Sequence, residues 1–171
     1  CSSDLAFIAW SYPPDSFGLA EQAIIEDLDV NVYYSAVATS FPAFSGVYGS
    51  KINNVLGAGG TNVDDPAIAA YRAAHSEITG KTADYWASAN TYAALQILEQ
   101  AIVGAATLDR DTVTQYIKDN SFDTVMGDLS FKNNFSDTFW SVGQWQDGVF
   151  RGVKGSNVEG AVDVRLKDGW K

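Results

Sequence analysis

Three features of the sequence predict an α/β fold. A wholly apolar run, LAFIAW at 5–10, is followed by a helical repeat and then by a second strand-like run, VNVYY at 30–34. Long helical patterns fill the middle of the chain. The last third turns β-branched and aromatic around an Asp-Gly step at 147–148. Strand, helix and strand, then helices, then a closing hairpin is the order of an α/β protein.

Each element has its own local reason. LAFIAW has no polar interruption, as expected of a parallel strand covered on both faces. The prolines of SYPPDS suit a turn that opens a helix. Phe17, Ala20, Ile24 and Leu28 then recur at helical spacing, with Glu21, Glu26 and Asp27 on other faces. VNVYY closes a first βαβ unit. Short strand, loop and helix steps follow through SAVATSFPAFSGVYG, and INNVLGAGG reads as a strand that ends in glycines.

Asp65-Pro66 supplies a cap and a proline at the first helical position, and Gly80 is placed to end that helix. Its predicted inner face is Ile68, Tyr71, Ala74 and Ile78. Residues 84–105 are apolar around most of the circumference, which predicts a largely buried helix. Asp109 caps a third helix to about Asn120, with Val113, Tyr116 and Ile117 inward. TVMGDLSF and TFWSVGQWQDGVFRGVK then read as strands, with a tight turn at Asp147-Gly148. The polar tail from Gly155 to Lys171 is expected to wrap the surface. No internal repeat or low-complexity linker interrupts the chain.

Composition removes several classes of function. A net charge of -10 disfavours nucleic acid and anionic membrane surfaces, which demand Lys and Arg. No apolar stretch approaches the roughly 20 residues of a membrane span, so no direct membrane insertion is expected. A single Cys forms no intrachain disulfide and no cysteine metal site, and His75 is the one imidazole.

The chemical motifs are weak. GAGG at 57–60 lacks both the dinucleotide spacing and the Walker lysine, so it reads as a chain reversal or hinge. Asp64-Asp65 is explained by capping, and no metal or cofactor is expected. His75 has no nucleophile motif beside it. The carboxylate pairs Asp109 with Asp111 and Glu21 with Glu26 are explained by capping and solvation. NFS at 134–136 matches a common glycosylation pattern. Nothing local argues for an enzyme. What stands out is Ser11 and Tyr12 just past the first strand, and Tyr34, Ser35 and Thr39 just past the second. Ligands of open α/β sheets bind outside the carboxyl ends of strands.

Together, AFIAWSYPPDSFGLAEQA, PAFSGVYG, DYWASANTYAALQILEQAI, DTVMGDLSF and VGQWQDGVF resemble the C-terminal half of a branched-chain amino acid type solute-binding protein of ABC transporters. The resemblance covers about residues 5–153 in the family's order. It implies a truncated type I periplasmic-binding-protein fold with parts of both Rossmann-like lobes, closing like a clamshell on a small solute. Residues 1–54 would belong to the second lobe and 55–138 to the C-terminal part of the first. Residues 139–154 would be a hairpin returning to the second lobe, with 155–171 a tail. The remainder of the first lobe, with the donors that clamp a ligand carboxylate, would lie upstream.

Carried over by position, the resemblance implies ligand-binding residues Ser11, Tyr12, Ser35, Thr39, Tyr85 and Trp86. Tyr12 matches an aromatic of the first loop. Tyr85 and Trp86 match a cleft-facing aromatic region, with a core role for Trp86 the open alternative. The family often places a carboxylate after the second strand to meet an amino group, and YYSAVATS contains none. That departure weighs against an α-amino acid ligand. The implied function is the extracytoplasmic solute-binding component of an ABC importer, not an enzyme. It would take an amino-acid-like, amide or aromatic carboxylate solute and would need no cofactor. Its partners would be the solute and the transporter's membrane permease subunits. The same fold as a ligand-sensing domain of a receptor or regulator is the alternative. The implied location is periplasmic, with lipid anchoring of the full-length protein left open. This chain alone is expected to bind solute weakly, since one wall of the cleft would be incomplete.

The opening CSSDL fits the start of a lipoprotein, yet the residues after it match the middle of the family. Cys-Ser-Ser-Asp-Leu is also what the end of a widely used sequencing adapter encodes. The expectation is therefore a metagenomic fragment whose functional reading starts at Ala6.

Overall fold

The computed structural model describes residues 5–136, 142–154 and 159–170. The adapter-like residues 1–4, the start of the returning segment at 137–141, and tail residues 155–158 and 171 lie outside them.

β1 (Ala6–Ala9), α1 (Pro13–Ile25) and β2 (Val32–Ser35) form the expected βαβ unit. β1 and β2 run parallel, with Phe7 opposite Tyr33 and Ala9 opposite Ser35. A 3-10 turn at Ala38–Ser40, α2 (Pro42–Tyr48) and a second 3-10 turn at Gly49–Ile52 lead to β3 (Leu56–Ala58). β3 joins β2 in parallel through Tyr34 and Leu56. The closing hairpin, β6 (Val142–Gln146) and β7 (Val149–Gly152), adds antiparallel to β3 and completes the order β1-β2-β3-β6-β7. Its turn is the Asp147-Gly148 step, both residues at positive φ, as a two-residue hairpin requires.

One face of this sheet is closed. Tyr33, Trp145 and Phe150 pack with Ala20 and Ala23 of α1, Phe44 of α2, and Trp170 of the tail. The other face is open over β1. The sequence predicted cover on both faces there, but β1 is the sheet's edge strand among the described residues, and Ile8 and Trp10 are exposed. No described segment lies over them.

The tail is more than a surface wrap. Gln144, fully buried, donates to the carbonyls of Asn54 (2.9 Å) and Arg165 (2.6 Å) and accepts from the Arg165 N–H. With Gln146 donating to the Asp163 carbonyl and Asn54 to the Leu166 carbonyl, these bonds strap residues 163–166 across β6. The strap then turns under the sheet, where Trp170 Nε1 donates to the Leu28 carbonyl at 2.9 Å and its ring meets Tyr33 edge-on.

The helices form a second cluster. α3 (Pro66–Thr79) starts at Asp65, whose carboxylate accepts from Ala67 N–H at 2.7 Å, and ends at left-handed Gly80. α4 (Ala87–Ala105) and α5 (Arg110–Asp119) pack with the hairpin of β4 (Ser121–Thr124) and β5 (Gly127–Ser130). Gln96 and Gln100 tie that hairpin to α4 through Val125 N–H and the Asp123 carbonyl. Two sequence expectations fail here. Of the predicted inner face of α3, Ile68 is buried and Tyr71 half-buried, but Ala74 and Ile78 are exposed. α4 buries only the line Ala89, Ala93, Ile97 and Ala101, while Leu95, Leu98 and Val103 stay exposed. The patterns specify faces that pack, and the described chain covers only part of each.

Candidate functional site

The carboxyl ends of β1 and β2 bring Ser11, Ser35 and Thr39 together with a residue not singled out in the sequence, Ser16. Ser11 Oγ lies 2.8 Å from Ser16 Oγ and 3.0 Å from Ser35 Oγ. Ser16, in the first turns of α1 and fully buried, donates to the Ala36 carbonyl at 2.7 Å. Thr39 Oγ1 donates to the Ser35 carbonyl at 2.7 Å, and Ser40 Oγ to the Val37 carbonyl at 3.0 Å. Ser35 and Thr39 are fully buried, so their side chains build the strand-end loop and only Ser11 of the three retains exposure. Thr39 sits against bare backbone, since a Cβ at Gly57 would land on its hydroxyl.

The loop turns at Val37, which holds φ 70° and ψ -78°. Ala38 N–H donates to the Ala36 carbonyl at 3.2 Å, closing a positive-φ γ-turn, a strained conformation for a β-branched residue. Strain of about 1–3 kcal/mol at such a residue persists only where the surroundings over-determine it. Here three hydroxyls grip the carbonyls on either side. Aromatic rings flank the loop: Tyr12 and Trp10 are both largely exposed, and Trp10 meets Tyr34 edge-on at 5.5 Å. Burial raises the Tyr34 phenol above its ordinary pKa.

Tyr85 and Trp86 lie where the helical cluster meets the sheet. Tyr85 N–H donates to the Ser40 carbonyl at 3.1 Å, and its own carbonyl accepts from Gly60 N–H at 2.9 Å. The Tyr85 ring contacts Trp145 at 5.7 Å and Phe150 at 5.9 Å, while the Arg72 guanidinium lies 4.0 Å above it. Trp145 Nε1 completes the link by donating to the Thr39 carbonyl at 2.6 Å. Trp86 packs against Gly59, where a Cβ would strike its side chain. Gly59 and Gly60, at φ 96° and 118°, carry the chain out of the sheet in a conformation only glycine adopts readily. Asp84 is committed to the backbone, accepting from the N–H groups of Trp86, Ala87 and Ser88 at 2.6–3.3 Å. Neither Ser16 nor Arg72 had a sequence signal beyond lying four residues from Tyr12 and on the capped helix at 66–79.

A large concavity lies elsewhere. A groove of about 970 Å³ runs between α3 and α4, lined by Tyr71, Ile78, Tyr92 and Leu95 among others. It has the apolar character of an uncovered packing face, while the hydroxyls converge at the strand ends. Among the described residues no three His, Cys, Asp or Glu side chains gather as a metal site, and no helix is long and apolar enough to cross a membrane.

No family model and no curated protein sequence matches the chain. Solved structures do. A leucine-binding protein from Thermotoga maritima superimposes with a TM-score of 0.65 at 16% identity, covering 97% of this chain and 44% of that one. A leucine-, isoleucine-, valine-, threonine- and alanine-binding protein from Brucella ovis, in its closed conformation, gives 0.68 at 16% identity, with 93% and 47% covered. A type 1 periplasmic binding protein from Bordetella pertussis gives 0.60 at 16% identity, with 95% and 45% covered. The fold is therefore that of the type I periplasmic binding proteins, and the chain spans a little under half the length of these neighbours.

Proposed function

We propose that the chain is the C-terminal part of an extracytoplasmic solute-binding component of an ABC importer. Residues 5–54 and 142–154 belong to one lobe and 55–136 to the other. The solute is a small amino-acid-like, amide or aromatic carboxylate compound, held between the lobes by Ser11, Tyr12, Tyr85 and Trp86, with Ser35 and Thr39 shaping the loop. Closure around the solute is the working step, because a ligand that touches both lobes stabilises the closed state. The closed form then engages the permease at the membrane surface. The apolar groove between α3 and α4 is the face that the rest of the first lobe would cover.

The observation that carries this reading is the strand-end cluster. Hydroxyl, aromatic and strained backbone groups converge where an open α/β sheet offers a ligand site, beside glycines that carry the chain to the second cluster. The test is thermal unfolding of the full-length gene product against a panel of amino acids, amides and aromatic acids. A solute at a hundred times its Kd stabilises by about 2.7 kcal/mol and raises Tm by several degrees. Chromatography should recover that solute unchanged, and this chain alone should respond far less. Chemical turnover of the solute, or no response to any compound, would overturn the assignment.

A further inference from the structure

β1 leaves one side of its backbone unused. The carbonyls of Leu5 and Ala9 accept from Asn31 N–H at 3.2 Å and Ala36 N–H at 3.0 Å, so the odd-numbered residues turn toward β2. Strand geometry then turns the N–H and C=O of Ala6, Ile8 and Trp10 to the opposite side, where no described strand lies. Side chains alternate as well. Phe7 enters the closed face against Tyr33, which sets Ala6, Ile8 and Trp10 on the open one, with Ile8 61% and Trp10 82% exposed.

Exposed sheet edges normally carry a charge, a proline or a bulge that blocks further pairing. LAFIAWSY at 5–12 has neither charge nor proline, and its register with β2 runs from Ala6 to Ala9 without a bulge. The unused positions are also symmetric about Ile8. In an antiparallel register centred there, Ile8 meets Ile8 and Ala6 meets Trp10. Each outward residue then faces an outward residue and exchanges both hydrogen bonds with it. The smallest side chain of the row lies opposite the largest. A second copy supplies this match and closes both edges at once by its two-fold symmetry. The net charge of -10 opposes self-association, but none of it falls within 5–12, so the repulsion is long-range and screened by salt.

We propose that β1 is the seam of a two-fold dimer of this chain, in which the two β1 strands pair antiparallel about Ile8 and join the two five-stranded sheets into one. The seam is short, so the dimer is weak and depends on concentration. It does not depend on the solute reading above, and either can fail alone.

Sedimentation equilibrium of the 171-residue chain reads this directly, in reductant that keeps Cys1 from cross-linking and in salt. The mass should rise with concentration from that of a monomer toward twice that value, and no further. Hydrogen exchange should slow at the amides of Ala6, Ile8 and Trp10 over the same range, while those of Phe7 and Ala9, already turned to β2, change little. Ile8→Lys sets two ammonium groups face to face at the axis and should weaken association about tenfold or more. Leu166→Lys, the same charge at an equally exposed position on the strap, should leave it unchanged. The exchange pattern is read on the wild type, so the test does not hang on the folding of a variant. A monomer mass up to about 1 mM, or association that Ile8→Lys leaves intact, overturns the seam. Growth past the dimer overturns the two-fold. Slow exchange at Ala6, Ile8 and Trp10 at every dilution means that the chain covers its own edge, and overturns the proposal as well.

Discussion

The sheet cluster and the helical cluster meet the same requirement in different ways. The first buries large aromatic rings against one another: Tyr33, Phe44, Trp145 and Phe150 are essentially inaccessible, and Trp145 lies 5.5 Å from Phe150 and 5.7 Å from Tyr85. The second is built on alanines along α4 and leaves Ile78, Leu95 and Val103 exposed. Aromatic packing closes the sheet's inner face within the described chain, whereas the apolar rim of the α3–α4 groove is still uncovered. Stability should therefore be concentrated in the sheet cluster, and the helical cluster should open first.

Two truncations test that contrast at its widest. Trp145→Ala removes a buried ring and the Nε1 donor to the Thr39 carbonyl, and should cost about 3–5 kcal/mol in urea denaturation. Leu95→Ala removes a side chain that is 60% exposed and should change stability by no more than about 0.5 kcal/mol. Comparable losses at the two sites would mean that the groove between α3 and α4 is already filled in solution.

The same contrast explains what the sequence could and could not reveal. Caps and turns depend on short-range chemistry, so Asp65, Gly80, Asp109 and Asp147-Gly148 were all placed correctly from the sequence. The α/β class and the strand-end clustering of Ser11 and Ser35 followed from the order of elements. Which face of a helix is covered depends on partners distant in sequence, so Ala74, Ile78 and Leu98 read as buried yet are exposed. The strap at 163–170 escaped for a related reason. It is held by backbone carbonyls meeting Gln144 and by one tryptophan, which leave no periodic signal. The γ-turn at Val37 has no signature either, because a β-branched residue is the last that propensity would place there.

An intermediate effect should come from the strap itself. Lys167 is buried, with its ammonium donating to the carbonyls of Lys51 and Gly169 and lying 4.2 Å from the Trp170 ring. Burial lowers its pKa to about 8, against the smaller upward pull of neighbouring Asp168. The folded state thus binds this proton less readily than the unfolded chain. Below pH 8 both states are protonated and the fold carries the desolvation cost. Between pH 8 and the ordinary lysine value near 10.4 the unfolded chain holds more protons, so this group adds stability as pH rises. Tm of the wild type should therefore rise relative to that of Lys167→Met across that window. Parallel Tm curves for the two proteins would show that the ammonium is well solvated, and that the strap is looser than the sheet it crosses.

The smallest effect lies at the centre of the sheet cluster. Tyr33 is fully buried between Phe7, stacked at 4.8 Å, and Trp170, edge-on at 4.9 Å, and its hydroxyl has no hydrogen-bond partner among the described residues. Burial, with a lesser contribution from Tyr48, holds the phenol far above its ordinary pKa, so it stays neutral and its cost is that of an orphaned polar group. Tyr33→Phe keeps both ring contacts and removes that group. It should leave stability unchanged or raise it by up to about 1 kcal/mol, read as a shift in denaturation midpoint without a change in slope. A clear loss of stability would reveal a partner for the hydroxyl, such as a buried water. The sheet cluster would then contain a polar element inside the face that its aromatic packing otherwise closes.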